Sequence, residues 1–434
     1  MPKNWKTYKL GELCTKITDG AHHSPKDIGT GGYPMPSVKD LTPFGVNLES
    51  SKRISELDYF KLIKQGCQPI VNDVVIAKDG NSALDTVCVI KKSVEAVLLS
   101  SVAILRPDMK LIDPYFLKCY FSSPAILKYL KSRFISGAAI PRVILKDFKL
   151  AEINLPPLPE QRVIASILSA LDDKIENNLA MNKTLEDMAM ALYKHWFVDF
   201  GPFQEGKFVD SELGKIPEGW QVKRIGELIS HQKGYAFKSK WYQSKGKEIV
   251  RVSDTTHNSI DLSTCNKISN QKAEEFKKYN LKTNDVIIAS VGSWLTNYAS
   301  VVGKVVRVPS TANGCLLNQN AVNLQMTLKD KNHQGLLYYS LKNDRFLNYI
   351  VSTAQGSANQ ASIKLIDIFD YKIPFLSIEN FINFSSHVDR LIEQQNQLTE
   401  ENQTLTQLRD TLLPKLISGE VRLKEFEKEI TAAL

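Results

Sequence analysis

Between Pro156 and Phe200 the chain carries core positions at Ile164, Leu168, Leu171, Ile175, Asn178, Asn182, Leu185, Ala189, Leu192 and Trp196, in alternating steps of four and three. That rhythm is a heptad seam on one long helix. So narrow a stripe cannot be buried by a lone helix and demands a partner of comparable length. The chain supplies one near its end, where Phe381, Phe384, Val388, Leu391, Gln395, Leu398, Asn402, Leu405, Arg409, Leu412 and Leu416 keep the same rhythm. The spacing predicts an intramolecular two-helix coiled coil. Asn178, Asn182, Gln395 and Asn402 interrupt the seams, and polar residues at such positions fix register at a cost in stability. Arg409, in a core slot, is expected to snorkel outward or to meet a partner subunit.

The chain also repeats itself. Trp5, Leu10, Gly11, Glu12 and Leu13 return as Trp220, Ile225, Gly226, Glu227 and Leu228. Met35-Pro36-Ser37-Val38-Lys39-Asp40 is answered by Ile249-Val250-Arg251-Val252-Ser253-Asp254. Asn72-Asp73-Val74-Val75-Ile76-Ala77 is answered by Asn284-Asp285-Val286-Ile287-Ile288-Ala289, and each half then enters its long helix. Two copies of one domain-plus-helix unit follow. Pairing of equivalent helices through one face makes them antiparallel, and at about 1.5 Å per residue the stretch Glu160 to Trp196 spans roughly 55 Å. A dumbbell with one domain at each end is expected. Leu171 answers Val388 while Leu192 answers Leu412, so the second helix gains three residues, a stammer that overwinds it locally.

Each domain alternates short β-rich runs with turn signals. Asp113-Pro114 and Ser123-Pro124 each read as a helix cap followed by Pro in the first turn. The boundaries predicted are a first domain over 1–155, the central helix over 156–200, a Gly/Pro-punctuated linker over 201–215, a second domain over 216–374, the C-terminal helix over 375–426 and a tail over 427–434.

At 434 residues the chain is long enough for two or three domains, and its formal net charge of +8 favours a polyanionic partner through counterion release. The longest nearly apolar run, Ala96 to Leu105, is too short to span a bilayer, and the N-terminal residues lack a signal peptide's apolar core. A cytoplasmic location is expected. Six cysteines without a Cys-x-x-Cys pair read as reduced thiols, mostly in the core.

No catalytic constellation stands out. Asn154-Leu155-Pro156-Pro157 only superficially resembles an adenine methyltransferase motif, and no Gly-rich cofactor turn follows a strand. A phosphate-binding loop is absent from the sequence, as is a nuclease-type carboxylate pattern, and Arg106 to Lys110 reads as a turn. The adjacent His22-His23 pair reads as a surface loop rather than a metal site. It lies in a polar loop, Asp19 to Lys26, whose counterpart, Lys233 to Tyr242, interleaves cations with aromatics as phosphate and base contact require. Two alternatives stay open on these residues alone, a DNA-modifying enzyme with unfamiliar motifs and a protein-only scaffold.

Ile153-Asn154-Leu155-Pro156-Pro157-Leu158-Pro159-Glu160-Gln161 resembles the start of the repeated region of type I restriction-modification specificity (S) subunits. Leu192 to Phe200, Leu192-Tyr193-Lys194-His195-Trp196-Phe197-Val198-Asp199-Phe200, is similar to the end of that region, and Leu412 to Val421 to the end of its second copy. Gly234 to Ser239 and Asp19 to His22 resemble openings of target recognition domains. The second copy departs from the pattern, with Ile373-Pro374-Phe375-Leu376-Ser377-Ile378-Glu379-Asn380 in place of the Pro-Pro-Leu-Pro-Glu-Gln lead-in.

The resemblance implies an α+β fold: two similar target recognition domains, each a small twisted β core plus helices, joined by two long antiparallel coiled-coil helices with a pseudo-twofold duplication. It implies a non-catalytic subunit in which each domain reads one half of a bipartite, asymmetric site in double-stranded DNA and the helices set the spacer. Two methyltransferase (M) subunits, and restriction (R) subunits in the full complex, are the implied protein partners. The chain itself is expected to hold no cofactor, with S-adenosylmethionine, ATP and magnesium confined to partner subunits. The implied docking residues are Glu160, Gln161, Trp196, Phe197, Leu412 and Leu416. Polar loops at matching places supply the candidate DNA contacts: His22, His23, Lys26, Lys39, Lys78 and Asn81 in the first domain, and Tyr235, Lys238, Arg251, Ser293, Asn297, Asn318, Gln319 and Asn320 in the second. Asn and Gln pair bidentately with adenine, Arg and Lys with guanine.

Overall fold

The computed structural model describes residues 2–137, 140–256, 258–294, 301–327, 333–357, 360–376 and 378–421, the side chains of 378–382 excepted. Two compact units emerge, Met1–Asn177 with Thr404–Leu434, and Asn178–Gln403. The central helix, Leu158–Phe197, and the C-terminal helix, Ile378–Ser418, each contribute one half to either unit.

The duplication read from the sequence is reproduced in the central sheet of each unit. In the first unit an antiparallel sheet runs Cys14–Asp19, Val102–Pro107, Val74–Ala77, Val87–Val89 in spatial order. In the second the order is Ile229–Lys233, Ala321–Met326, Val286–Ala289, Val305–Arg307, again antiparallel. A two-stranded sheet closes each domain beside its long helix, Lys6–Lys9 with Glu152–Leu155 and Gln221–Arg224 with Lys372–Phe375. Strand Val74–Ala77 is buried on both faces because alternate side chains point opposite ways. Val74 and Ile76 join the core under the helices, and Val75 and Ala77 join the core under the loops. Val286 and Ile288, against Ile287 and Ala289, repeat that division.

The turn before this strand is also duplicated. Asn72 and Asn284 adopt φ of 72° and 70°, a left-handed conformation that Asn tolerates better than most residues. Asp73 Oδ2 accepts from Ile70 N at 2.8 Å, and Asp285 Oδ2 from Lys282 N at 2.9 Å. The remaining donors to these carboxylates differ. Arg106 donates twice to Asp73, at 2.8 and 2.9 Å, whereas Asn323 and Gln325 donate to Asp285 at 2.6 and 3.1 Å.

Asp113 caps helix Pro114–Ser122 as predicted, its Oδ1 accepting from Tyr115 N and Phe116 N. Ser123 does not cap the following helix through its side chain. The predicted linker is no open connection: Gly201–Phe203 forms a 3-10 turn, and Phe208–Ser211 pairs with Gly214–Pro217 as a hairpin. Phe200 and Phe203 pack edgewise on Trp220 at 5.2 and 5.1 Å, and aromatic burial of this kind fixes a connection that composition alone reads as loose.

Both seams lie inward; every described seam position is buried or half-buried. Within the second unit Asn178 Nδ2 donates to Glu401 Oε2 and Asn402 Oδ1, Asn182 Nδ2 to Thr399 Oγ1, and Gln395 Nε2 to Asn182 O, an antiparallel register. Each helix half also buries a second stripe, offset by one residue, against its domain: Ala165 and Asp172 in the first unit, Glu186, Tyr193 and Phe197 in the second. The buried carboxylates on this stripe anchor the helix. Asp172 is met by Lys118 and, at 3.1 Å, by Arg409, so Arg409 turns inward to this carboxylate, where the sequence left solvent or a partner open. Glu186 accepts from Tyr338 Oη and Tyr339 Oη at 2.9 Å each and from Gln395 Nε2 at 3.1 Å.

Gly20 and Gly234 mark the close approach that begins each candidate loop. A Cβ at Gly20 would sit 2.1 Å from Leu98 O, and one at Gly234 would sit 2.0 Å from Asn318 O. Gly20→Ala should therefore destabilise the protein by about 1–3 kcal/mol through overpacking. Gly45→Ala, which meets nothing within 4 Å, should stay within about 0.5 kcal/mol of the parent in denaturant unfolding.

Candidate nucleic-acid interface

The loops selected from the sequence start at the same point of each sheet. Ala21 bridges Leu99, and Tyr235 bridges Asn318, both parallel, which pins each loop beside a second polar segment. In the first domain His22, His23 and Lys26 are exposed, and Asn81 is exposed on the neighbouring turn. Lys52 Nζ donates to Ser24 Oγ at 2.7 Å, and the backbone amides of Gly29 and Arg53 hold the Asp27 carboxyl below its ordinary range, so the loop has a defined shape. Lys39 is exposed on the turn Val38–Asp40, which Asp40 closes by accepting from Ser37 N at 2.8 Å.

Lys78 is placed otherwise than expected. It is buried, its ammonium 2.9 Å from Asp19 Oδ2 and 3.5 Å from Asp79 Oδ1, while Asp19 Oδ1 lies 3.2 Å from His22 Nε2. Lys78 therefore orders the two candidate loops and does not itself present charge outward.

In the second domain Tyr235 is half-buried in an aromatic cluster, its ring centroid 5.1 Å from Phe237, 4.6 Å from Phe276 and 5.3 Å from Tyr279. Lys238 is exposed and lies 5.6 Å from the Trp241 ring, which Lys272 approaches to 5.0 Å from another segment. Lys278 sits 4.9 Å over Tyr279. Cation–π contact holds Lys238 and Lys278 beside flat aromatic surface, while Lys272 is also paired with Glu275 at 2.6 Å. Lys272, Phe276, Lys278 and Tyr279 were not selected from the sequence, although the run Phe276-Lys277-Lys278-Tyr279 carries the same interleaving.

Arg251 is largely committed internally, donating to Asp254 at 2.9 and 2.6 Å and to Thr264 O at 3.0 Å. Ser293 is half-buried and bridges Val301, Asn318 is buried, Gln319 is exposed and Asn320 is half-buried. Asn297 lies outside the described residues. Among the described residues no group of His, Cys, Asp or Glu side chains could hold a metal ion, and no helix is long and apolar enough to cross a membrane. The six cysteines are free, five of them buried. Burial pushes the Cys88 thiol up to about 12.

The implied docking residues divide in the same way. Gln161 is buried, accepting from Asp113 N at 2.9 Å and donating to Leu111 O and Pro156 O, so it stitches the helix to its own domain. Phe197 and Leu416 are core residues. Glu160 is half-exposed and accepts from Trp5 Nε1 at 3.3 Å. Trp196 and Leu412 are half-buried, Trp196 against Phe203 and Phe384.

The profile of the type I restriction modification DNA specificity domain matches residues 2–187 and again 217–406, two copies covering most of the chain. The chain belongs to this family. Among its relatives, the MjaIX specificity subunit of Methanocaldococcus jannaschii is 25% identical over 443 residues, covering 98% of this chain and 95% of its own. The HindI specificity subunit of Haemophilus influenzae is 26% identical over 377 residues, 75% of this chain and 81% of its own. The crystal structure of the S subunit from M. genitalium superposes with a TM-score of 0.53 at 16% identity, covering 95% of this chain and 96% of that one, and shares the fold. As a type I specificity subunit, the chain has two target recognition domains that match recognition of a bipartite site.

Because Lys78 is framework, Lys78→Met should lower stability by about 1–3 kcal/mol, leaving Asp19 and Asp79 with only the exposed His22 and Arg142 as charged partners. Lys26→Ala and Lys238→Ala should leave the urea unfolding midpoint unchanged.

Proposed function

We propose that the chain reads bipartite DNA through its two outward loop surfaces and carries no catalytic activity of its own. The observation that supports this is the duplication itself, with one backbone carrying a different set of exposed polar residues in each copy. His22, His23, Lys26, Lys39 and Asn81 would serve one half-site, and Tyr235, Lys238 and Gln319 the other, with Lys278 placed for phosphate contact. Ser293 and Asn320 lie half-buried beside the second set.

On this reading the helix pair sets the spacer, because neither helix can slide without breaking the Asn178 and Asn182 contacts. Docking of methyltransferase and restriction subunits would use Glu160, Trp196 and Leu412, which retain exposure, rather than Gln161, Phe197 or Leu416. Those partners would supply S-adenosylmethionine, ATP and magnesium, and the assembly would act in the cytoplasm. The assembly would hold two methyltransferase subunits, one per duplicated helix.

Exchange of Lys215 to Pro374 for the same segment of a relative, followed by mapping of methylated bases in a host carrying the methyltransferase, should change one half-site only. An unchanged site in both halves overturns the assignment. Deletion of one heptad, Ile175 to Met181, should alter the preferred spacer or abolish binding while the half-site bases stay the same; altered bases with the old spacer would refute the ruler.

A further inference from the structure

Arg142 lies on a segment that sequence reading passed over. Strand Arg142–Val143 pairs with Ile135–Ser136 and also adds to the loop after Val74–Ala77: Asp79 bridges Arg142 in antiparallel register, Gly80 N donates to Pro141 O at 2.8 Å, and Val143 N donates to Lys78 O at 2.9 Å. Val143 turns into the core, which sends the Arg142 side chain the other way, where it is 59% exposed.

Its Nε lies 3.2 Å from Asp79 Oδ1. The contact is an ion pair rather than an aligned hydrogen bond, and Asp79 Oδ1 has no hydrogen-bond partner although it is buried. Behind Asp79 stands Lys78, and behind Lys78 stand Asp19 and then His22. One buried ammonium between two carboxylates thus sets two exposed side chains, Arg142 at 59% and His22 at 77%, on the surface formed by both candidate loops. An arginine steadied through Nε keeps its two terminal nitrogens for a bidentate acceptor pair, and guanine O6 and N7 are that pair in the DNA major groove.

We propose that Arg142 is a base-reading residue of the first domain, contacting one guanine of the first half-site, with Asp79 as its positioning residue. This rests on the reading of the chain as a DNA specificity subunit. The equivalent place in the second domain holds Val291 opposite Ser362, an uncharged pair in the same antiparallel register. The device therefore belongs to one half-site and contributes to the asymmetry of the target.

The test uses the full chain assembled with its methyltransferase subunits on duplexes carrying the mapped site. Arg142→Ala should weaken binding about tenfold to a hundredfold and remove discrimination at a single guanine of the first half-site. Arg142→Lys keeps the charge but not the fork, and should lose the same discrimination while the salt dependence of binding stays as in the parent. Replacing that guanine by 7-deazaguanine should weaken the parent and leave Arg142→Ala unaffected. Unchanged binding, equal weakening on every sequence, an effect confined to the second half-site, or a first half-site without guanine would each overturn the assignment. Arg142→Lys carries the test if the alanine variant fails to fold. A parent complex that recognises no bipartite site overturns the reading of the whole chain and this assignment with it; a parent that does, beside an unaffected Arg142→Ala, overturns the assignment alone.

Discussion

Each long helix of this protein buries two stripes at once, and that constraint orders the rest of the structure. One stripe is the heptad seam that meets the partner helix; the other, one residue further on, packs on a recognition domain. A helix held along both stripes can neither roll nor slide without exposing apolar surface or stranding a buried polar group. Asp172 and Glu186 make the penalty large, because each is a buried carboxylate whose partners come from the domain and from the second helix together: Lys118 and Arg409 in one case, Tyr338, Tyr339 and Gln395 in the other. Domain and strut thus form a single packed body within each unit.

The duplicated domains show how one backbone is kept while its polar chemistry changes. Asp73 and Asp285 close the same turn after Asn72 and Asn284 in the same left-handed conformation, yet a guanidinium satisfies one and two amides satisfy the other. Gly20 and Gly234 start the two candidate loops at one close approach to a carbonyl. Beyond that glycine the chemistry parts: an ionic relay through Lys78 in the first domain, an aromatic cluster around Tyr235 edged by Lys238, Lys272 and Lys278 in the second. A scaffold fixed by turn and core residues leaves its loops free to differ, as recognition of two unlike half-sites requires.

Several candidate residues changed role once their neighbours were known. Lys78 follows a buried strand and precedes a polar turn, a place equally suited to an exposed or a buried cation; Asp19, far away in sequence, draws it inward. Gln161 carries the family resemblance but spends its amide on Leu111, Asp113 and Pro156. Arg251, unlike Lys238, has Asp254 within reach of its charged end. The supposed linker holds a hairpin, Phe208–Ser211 with Gly214–Pro217, flanked by Phe200 and Phe203 packed on Trp220.

The sequence by itself determined the two long helices, their antiparallel pairing, the internal duplication and the family. Those features rest on periodicity and on local turn chemistry, both of which are written in residues close together along the chain. The tertiary structure alone decided which polar side chains face outward. That choice depends on partners far apart in sequence, such as Asp19 with Lys78 and Asp79 with Arg142, whose electrostatic pull and burial exist only after the sheet has brought their strands together.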